Sequence, residues 1–224
     1  KHLNTLVDSG TTDSLRDPKE CVRFMLSHFS VPFTADYSPK GVYNRFQNRF
    51  EERGVSKGPV DMIYVISSPA RKDYAIQKVE QFGMRYKLFN AISPKDLSHE
   101  DYLNLSETMD AQSHPGISKI PTKLPVFLSF FICYYDAYLR GYDTIAVFED
   151  DIEFKVSVDL IFEVINEFQN VDASVLFLGY VIWKSCDGLR RGSIQISSNL
   201  YQLSNKETLC SNHAMVWKKQ YLAE

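Results

Sequence analysis

Hydrophobic positions along this chain change their period near residue 58. Ahead of that point Val22, Met25, Leu26 and Phe29 recur at helical spacing behind Asp17-Pro18, an N-cap with proline at the first helical position. Val42, Phe46 and Phe50 repeat the pattern before Gly54, so two amphipathic helices are predicted, parted by Pro32, Pro39 and Gly41. The stretch Gly54-Val55-Ser56-Lys57-Gly58-Pro59 reads as a linker. Beyond it, short apolar runs alternate with helical faces. Met62 to Ile66 predicts a buried strand, Ser67-Ser68-Pro69 a turn, and Ala75, Ile76, Val79 and Phe82 a helix face that ends at Gly83. Arg85 to Phe89 predicts a strand, Pro125 to Tyr138 an apolar helix closed by Arg140-Gly141, and Ile145 to Phe148 a strand buried on both faces. Val158 to Phe168 reads as a helix, Ser174 to Leu178 as a strand ending at Gly179, and the remainder, through Ala214 to Trp217, as β-rich. The expected class is α/β: a mainly parallel sheet with flanking helices and antiparallel additions, over residues 59–224, preceded by a helical extension over 1–58.

Between Ser93 and Lys123 the chain is polar. It holds a capped helix starting at Ser98, signalled by Ser98-x-x-Asp101, and the breaker His114-Pro115-Gly116. A connection of that length suits either a mobile lid or an excursion packed elsewhere.

Candidate chemistry sits where the strand from Ile145 stops, at Glu149-Asp150-Asp151. In open α/β sheets ligands bind beyond the carboxyl ends of the strands. If extended geometry persists, Glu149 and Asp151 point one way and Asp150 the other. Crowded carboxylates repel unless a cation offsets them, and hard oxygen ligands favour Mg²⁺, Mn²⁺ or Ca²⁺ over zinc. The competing reading is an acidic strand exit in water. A second element is the turn Ile66-Ser67-Ser68-Pro69-Ala70-Arg71, which places N–H groups and a cation where a helix begins, as a phosphate or nucleotide needs. Neither Gly-x-Gly-x-x-Gly nor Gly-Lys-Ser/Thr occurs, which removes the dinucleotide and P-loop signatures. His213, ahead of the last strand, is either a metal ligand or a surface histidine. Tyr180 and Trp183 suit either sugar stacking or core packing, and Phe127, Phe131, Tyr134 and Tyr138 are expected in the core.

Composition narrows the picture only at its edges. A net charge of −3 and 44% hydrophobic residues, 13% of the total aromatic, fit a globular enzyme and give no bulk positive field for nucleic acid. No apolar run approaches the ~20 residues of a membrane span. The start Lys1-His2-Leu3-Asn4 lacks a signal sequence, although a trimmed segment can precede it. Cys21, Cys133, Cys186 and Cys210 form no C-x-x-C pair. Buried thiols are the default, with a Cys186–Cys210 bridge open in an oxidising compartment. With one sequon, Asn104-Leu105-Ser106, the compartment stays unassigned, with the cytoplasm preferred and the secretory lumen as the alternative.

In order and spacing these blocks resemble glycosyltransferase family 25, the lipooligosaccharide and procollagen galactosyltransferases of GT-A fold. Met62-Ile63-Tyr64-Val65-Ile66-Ser67 is similar to the opening "V-x-V-I-N-L" strand, and Arg71 and Asp73 fall on its "R-R-x-D-R" continuation. Phe89-Asn90-Ala91-Ile92 is similar to the "D-A" block, Val126-Phe127-Leu128-Ser129 to "G-C-x-L-S-H", and Ala146 to Phe154 to "L-E-D-D-x-x-F". Ser174 to Gly179 resembles "D-L-I-Y-L-G" and Ala214-Met215-Val216 the late "A-Y-x-I-S" strand. Tyr74 stands where the family has arginine, Phe130 where it has histidine, and Ser67-Ser68 replace Asn-Leu.

The resemblance implies a GT-A-like hexosyltransferase that moves galactose or glucose from a UDP-sugar to a hydroxyl of a glycan or protein, with inversion. On this reading Asp151 and Asp150, with His213, hold Mn²⁺ or Mg²⁺, while Ile66, Ser67, Arg71, Ser129 and Glu149 bind the donor. The catalytic base is unassigned, and the family's further acidic motifs fall beyond Glu224. The alternative is a non-catalytic carbohydrate- or protein-binding relative, which Tyr74 and Phe130 favour. A nucleotidyltransferase would need a basic triphosphate loop that is not found. The aromatic N-terminal faces are expected to pack on the transferase core or to join copies of the chain.

Overall fold

The computed structural model describes residues 5–8, 37–110, 123–181, 194–202 and 210–219. The predicted helix over 17–29, the His114-Pro115-Gly116 breaker, Cys21, Cys186 and Trp183 lie outside these residues. Nine strands form one sheet: β1 (Thr5–Asp8), β2 (Phe50–Arg53), β3 (Met62–Ser67), β4 (Tyr86–Asn90), β5 (Thr144–Glu149), β6 (Val175–Val181), β7 (Ile194–Gln195), β8 (Leu200–Gln202) and β9 (Cys210–Lys218). Their spatial order is β2-β4-β3-β5-β9-β6-β1-β8-β7. Among the described residues five α-helices accompany them: α1 (Pro39–Phe46), α2 (Lys72–Val79), α3 (His99–Asp110), α4 (Lys123–Arg140) and α5 (Val158–Gln169).

The α/β class with flanking helices is as expected, but the sheet is mixed and not mainly parallel. Parallel pairing joins β3 to β4, β3 to β5 and β1 to β8, and the other neighbours run antiparallel. The cause is the late half of the chain. β9 inserts between β5 and β6 and opposes both, whereas periodicity reports that a strand is buried and not which way its neighbours run.

Parallel strands need crossovers, and here the two go to opposite faces. From β3 the chain passes through α2 to β4 on one side; from β4 it passes through α4 to β5 on the other side of β3. One core layer holds Ile63, Val65, Leu88, Ala146 and Phe148 beneath Ala75 and Val79 of α2 and Ile161, Val164 and Phe168 of α5. The other holds Met62, Tyr64, Phe89, Val147 and Trp217 beneath Leu128, Phe131 and Ile132 of α4. Since every β3 residue is buried, its continuous apolar run follows from helices on both faces. The strand order therefore reverses between β3 and β5, which is where a ligand crevice opens in such sheets.

Several sequence expectations shift by a few residues for visible reasons. Gly83 and Gly141 close their helices at φ +60° and +69°, backbone that favours glycine. The second predicted helix ends at Phe46; a 3-10 turn over Gln47–Arg49 comes next, and Phe50 opens β2, where its ring meets Phe89 at 4.8 Å. Phe46 is buried beside Val42 in the α4 layer, so this part of the first 58 residues packs on the core. Strand β6 continues through Gly179 to Val181, with the register against β9 shifting on either side of the glycine. Tyr138 is a correction: it is 42% exposed, because only one face of the last α4 turn meets the sheet. Residues 93–101 hold two successive capped turns. Pro94–Asp96 forms a 3-10 turn with a Ser93–Asp96 capping box, and Ser98 Oγ accepts from Asp101 N at 3.1 Å to start α3.

Candidate functional site

Register places the site. The β3–β5 ladder ends at Ile66↔Glu149, and the β5–β9 ladder reaches Phe148↔Ala214, so Ser67 lies beside Asp150 and His213 beside Glu149. The acidic turn is anchored from behind. Phe154 folds back onto the sheet, 5.7 Å from the Phe148 ring and edge-on to Phe82 at 4.9 Å, which explains an aromatic following the acids at that distance in the chain.

Side chains leave the turn in alternation. His213 Nδ1 lies 2.6 Å from Glu149 Oε2 and 2.9 Å from Asp151 Oδ1. One ligand atom from each of Glu149, Asp151 and His213 falls within 4.8 Å of the others. Asp150 turns to the opposite side. Its Oδ2 accepts from Ser68 N at 2.8 Å and from Ser68 Oγ at 3.0 Å, and its Oδ1 is 3.6 Å from Arg71 Nη1. Asp150 therefore does not join Asp151 and His213 as the expected metal set requires: past the end of β5 its carboxylate is held by Ser68 and faces Arg71. Glu149, expected to touch the donor, occupies that place. Burial pushes the Glu149 carboxyl above its ordinary range, as do the neighbouring Asp151 and Asp150 charges, against the lowering effect of His213.

Other expected donor-binding residues separate into two groups. Arg71, with its side chain 56% exposed, stands beside Asp150 at the carboxyl end of β3. Ser67 is buried, with its hydroxyl donating to Ser68 O at 3.0 Å, and Ile66 is buried beside it, so both shape the turn from beneath. Ser129 is a correction. It is fully buried on α4, where its Oγ donates to Pro125 O at 2.8 Å and accepts from Ile92 N at 2.9 Å. That hydroxyl ties the segment after β4 to α4, and the side chain is not available to a donor. Phe130 is likewise buried and packs near Tyr134, at 6.2 Å between rings. Tyr74 is exposed, under the Lys78 ammonium at 5.0 Å. Ser68, whose amide and hydroxyl both hold Asp150, is the functional neighbour that the sequence signals only as a Ser-Pro turn.

A second polar cluster lies under α4, away from the acids. Asp136 accepts from Lys87 Nζ at 2.5 Å, Tyr64 OH at 2.6 Å, Tyr43 OH at 2.7 Å and Arg140 Nε at 3.0 Å. Burial alone would raise its carboxyl, but the bonds from Lys87, Tyr64 and Tyr43 outweigh it and hold the group below its ordinary range. No helix is long and apolar enough to cross a membrane among the described residues.

Comparison with known families agrees with this arrangement. The family model described as glycosyltransferase family 25 (LPS biosynthesis protein) matches residues 60–188, which carry β3, the Arg71 turn and the acidic turn. No curated protein and no solved structure matches alongside it. With more than half of its 224 residues under that match, the chain belongs to glycosyltransferase family 25 and is a glycosyltransferase by family.

Proposed function

We propose that the protein is a metal-dependent hexosyltransferase that moves galactose or glucose from a UDP-sugar to a hydroxyl of a glycan or a protein, with inversion. The observation that carries this reading is the grouping of Glu149, Asp151 and His213 at the β3/β5 switch point, beside the exposed Arg71. Two hard carboxylate oxygens favour Mn²⁺ or Mg²⁺, and the imidazole nitrogen tilts the set toward Mn²⁺. When bound, such an ion supplies Lewis-acid neutralisation of the departing diphosphate. The chain's own residues do the rest: Glu149, Asp151 and His213 fix the position, while Arg71 offers a guanidinium to phosphate oxygens across the crevice. Inversion implies single displacement, with a carboxylate base drawing the proton from the acceptor hydroxyl.

A non-catalytic relative is the second reading, favoured by the buried apolar Phe130 where the resemblance expects a histidine. Thermal unfolding with UDP, with and without Mn²⁺, separates the two. A ligand that binds only the folded state stabilises it by about 2.7 kcal/mol at a hundredfold excess over Kd. The transferase reading expects an upward Tm shift that is larger with Mn²⁺; no shift under either condition favours the second.

A further inference from the structure

We infer that Asp150 is a positioning residue, which holds the Ser67–Arg71 turn in the geometry that receives the donor. This rests on the donor reading given above. β3 and β5 stop pairing at Ile66↔Glu149, and although Ser67 still pairs with Asn90 of β4, no ladder ties Ser68–Arg71 to the segment after β5. Asp150 supplies the missing link through its side chain. One oxygen takes Ser68 N at 2.8 Å and Ser68 Oγ at 3.0 Å; the other faces Arg71 at 3.6 Å. Charge-assisted bonds of this kind are about twice as strong as neutral ones, and this carboxylate is only 17% exposed.

Ser68 reinforces the assignment. It stands at the N-cap of the Pro69–Arg71 3-10 turn, yet its side chain makes no capping bond there. The hydroxyl donates instead to Asp150, so this side chain ties the turn to the segment after β5, while Ser68 O accepts from Arg71 N at 3.1 Å within the turn. The consequence is a division of labour within the acidic triplet. Glu149 and Asp151 face His213, whereas Asp150 sets the register of the opposite wall and the bearing of the Arg71 guanidinium.

The test is UDP titration calorimetry with and without Mn²⁺ on wild type, Asp150→Ala, Asp150→Asn, Arg71→Ala and the Asp150→Ala/Arg71→Ala pair, together with amide exchange of the ligand-free chain. Asp150→Ala is expected to weaken UDP about tenfold in both conditions, leave the Mn²⁺ midpoint unchanged, and speed exchange at Ser68. The double variant should be no weaker than the worse single one. Asp150→Asn keeps an oxygen for Ser68 and should regain slow exchange there and most of the affinity. Loss of the Mn²⁺ effect alone would make Asp150 a metal ligand and overturn the inference, as would additive losses or unchanged exchange at Ser68. Should Asp150→Ala fail to fold, Asp150→Asn decides: adding Arg71→Ala to it must cost less than Arg71→Ala costs wild type. A wild-type chain that binds UDP in neither condition overturns the donor reading, and exchange at Ser68 in Asp150→Asn and Asp150→Ala then decides whether the turn is held at all.

Discussion

Residue by residue, the site depends on which way each acid faces. Asp151→Asn is expected to abolish the Mn²⁺-dependent part of UDP binding while leaving Tm within a degree or two, since the side chain is about half exposed and outside the core. Isothermal titration checks it, and unchanged Mn²⁺ dependence would remove Asp151 from the ligand set. Lys87 offers the opposite case. Both it and Asp136 are nearly inaccessible, so Lys87→Ala leaves a buried carboxylate without its closest cation and should cost about 3–5 kcal/mol in urea unfolding. Lys87 and Asp136 together changed to apolar residues of similar volume should recover much of that, because the desolvation cost of both charges disappears. A Lys87→Ala loss below about 1 kcal/mol would mean that Arg140 and the tyrosines already compensate Asp136.

Elements are tied to one another by two capping boxes that also serve as ion-pair partners. Asp101 caps α3 through Ser98 and receives Arg45 from α1 at 2.5 Å, and Asp96 caps the preceding turn and receives Arg49 at 2.7 Å. The Arg45 bond, against an opposing burial effect and with help from Ser98, lowers the Asp101 pKa to about 2 from an ordinary 3.8. A depressed carboxylate contributes stability that is complete above its unfolded pKa and lost as the pH falls through its folded one. Arg45→Ala should therefore cost about 1–2 kcal/mol at pH 6, and the difference from wild type should shrink between pH 4 and pH 2. Denaturant midpoints at pH 6 and pH 2.5 measure this; a gap that stays constant with pH would place the effect of Arg45 in packing against Phe46, whose ring lies 5.2 Å away.

Across the whole molecule, the described residues ahead of Val60 join the sheet or pack on α4. β1 lies between β6 and β8, β2 covers the β4 edge, and Tyr43 of α1 reaches Asp136. A chain beginning at Val60 should consequently lose stability or aggregate, because removing β1 and β2 exposes strand edges and the α1 contacts on α4. Size-exclusion chromatography and thermal unfolding test this; a truncated chain as soluble and as stable as the full one would show the segment to be dispensable.

Hydrophobic period alone determined the β3, α2, β4, α4, β5 and α5 elements, since a strand covered on both faces must be apolar throughout and a helix on a sheet must be apolar on one face. The i, i+2 alternation also told that Glu149 and Asp151 share a side, and the Ser98-x-x-Asp101 pattern told where α3 begins. Other features were decided only in three dimensions. His213 is 62 residues from Asp151 in the chain, and no local pattern states that β9 runs antiparallel beside β5 and delivers it to the acids. The hydroxyl of Ser129 reads the same in sequence whether it faces a ligand or ties α4 to Ile92, and the Lys87–Asp136 pair looks like two ordinary surface charges until the fold buries both. Periodicity encodes whether a position is buried; partner and direction come from the pairing of distant segments, which tertiary contact alone selects.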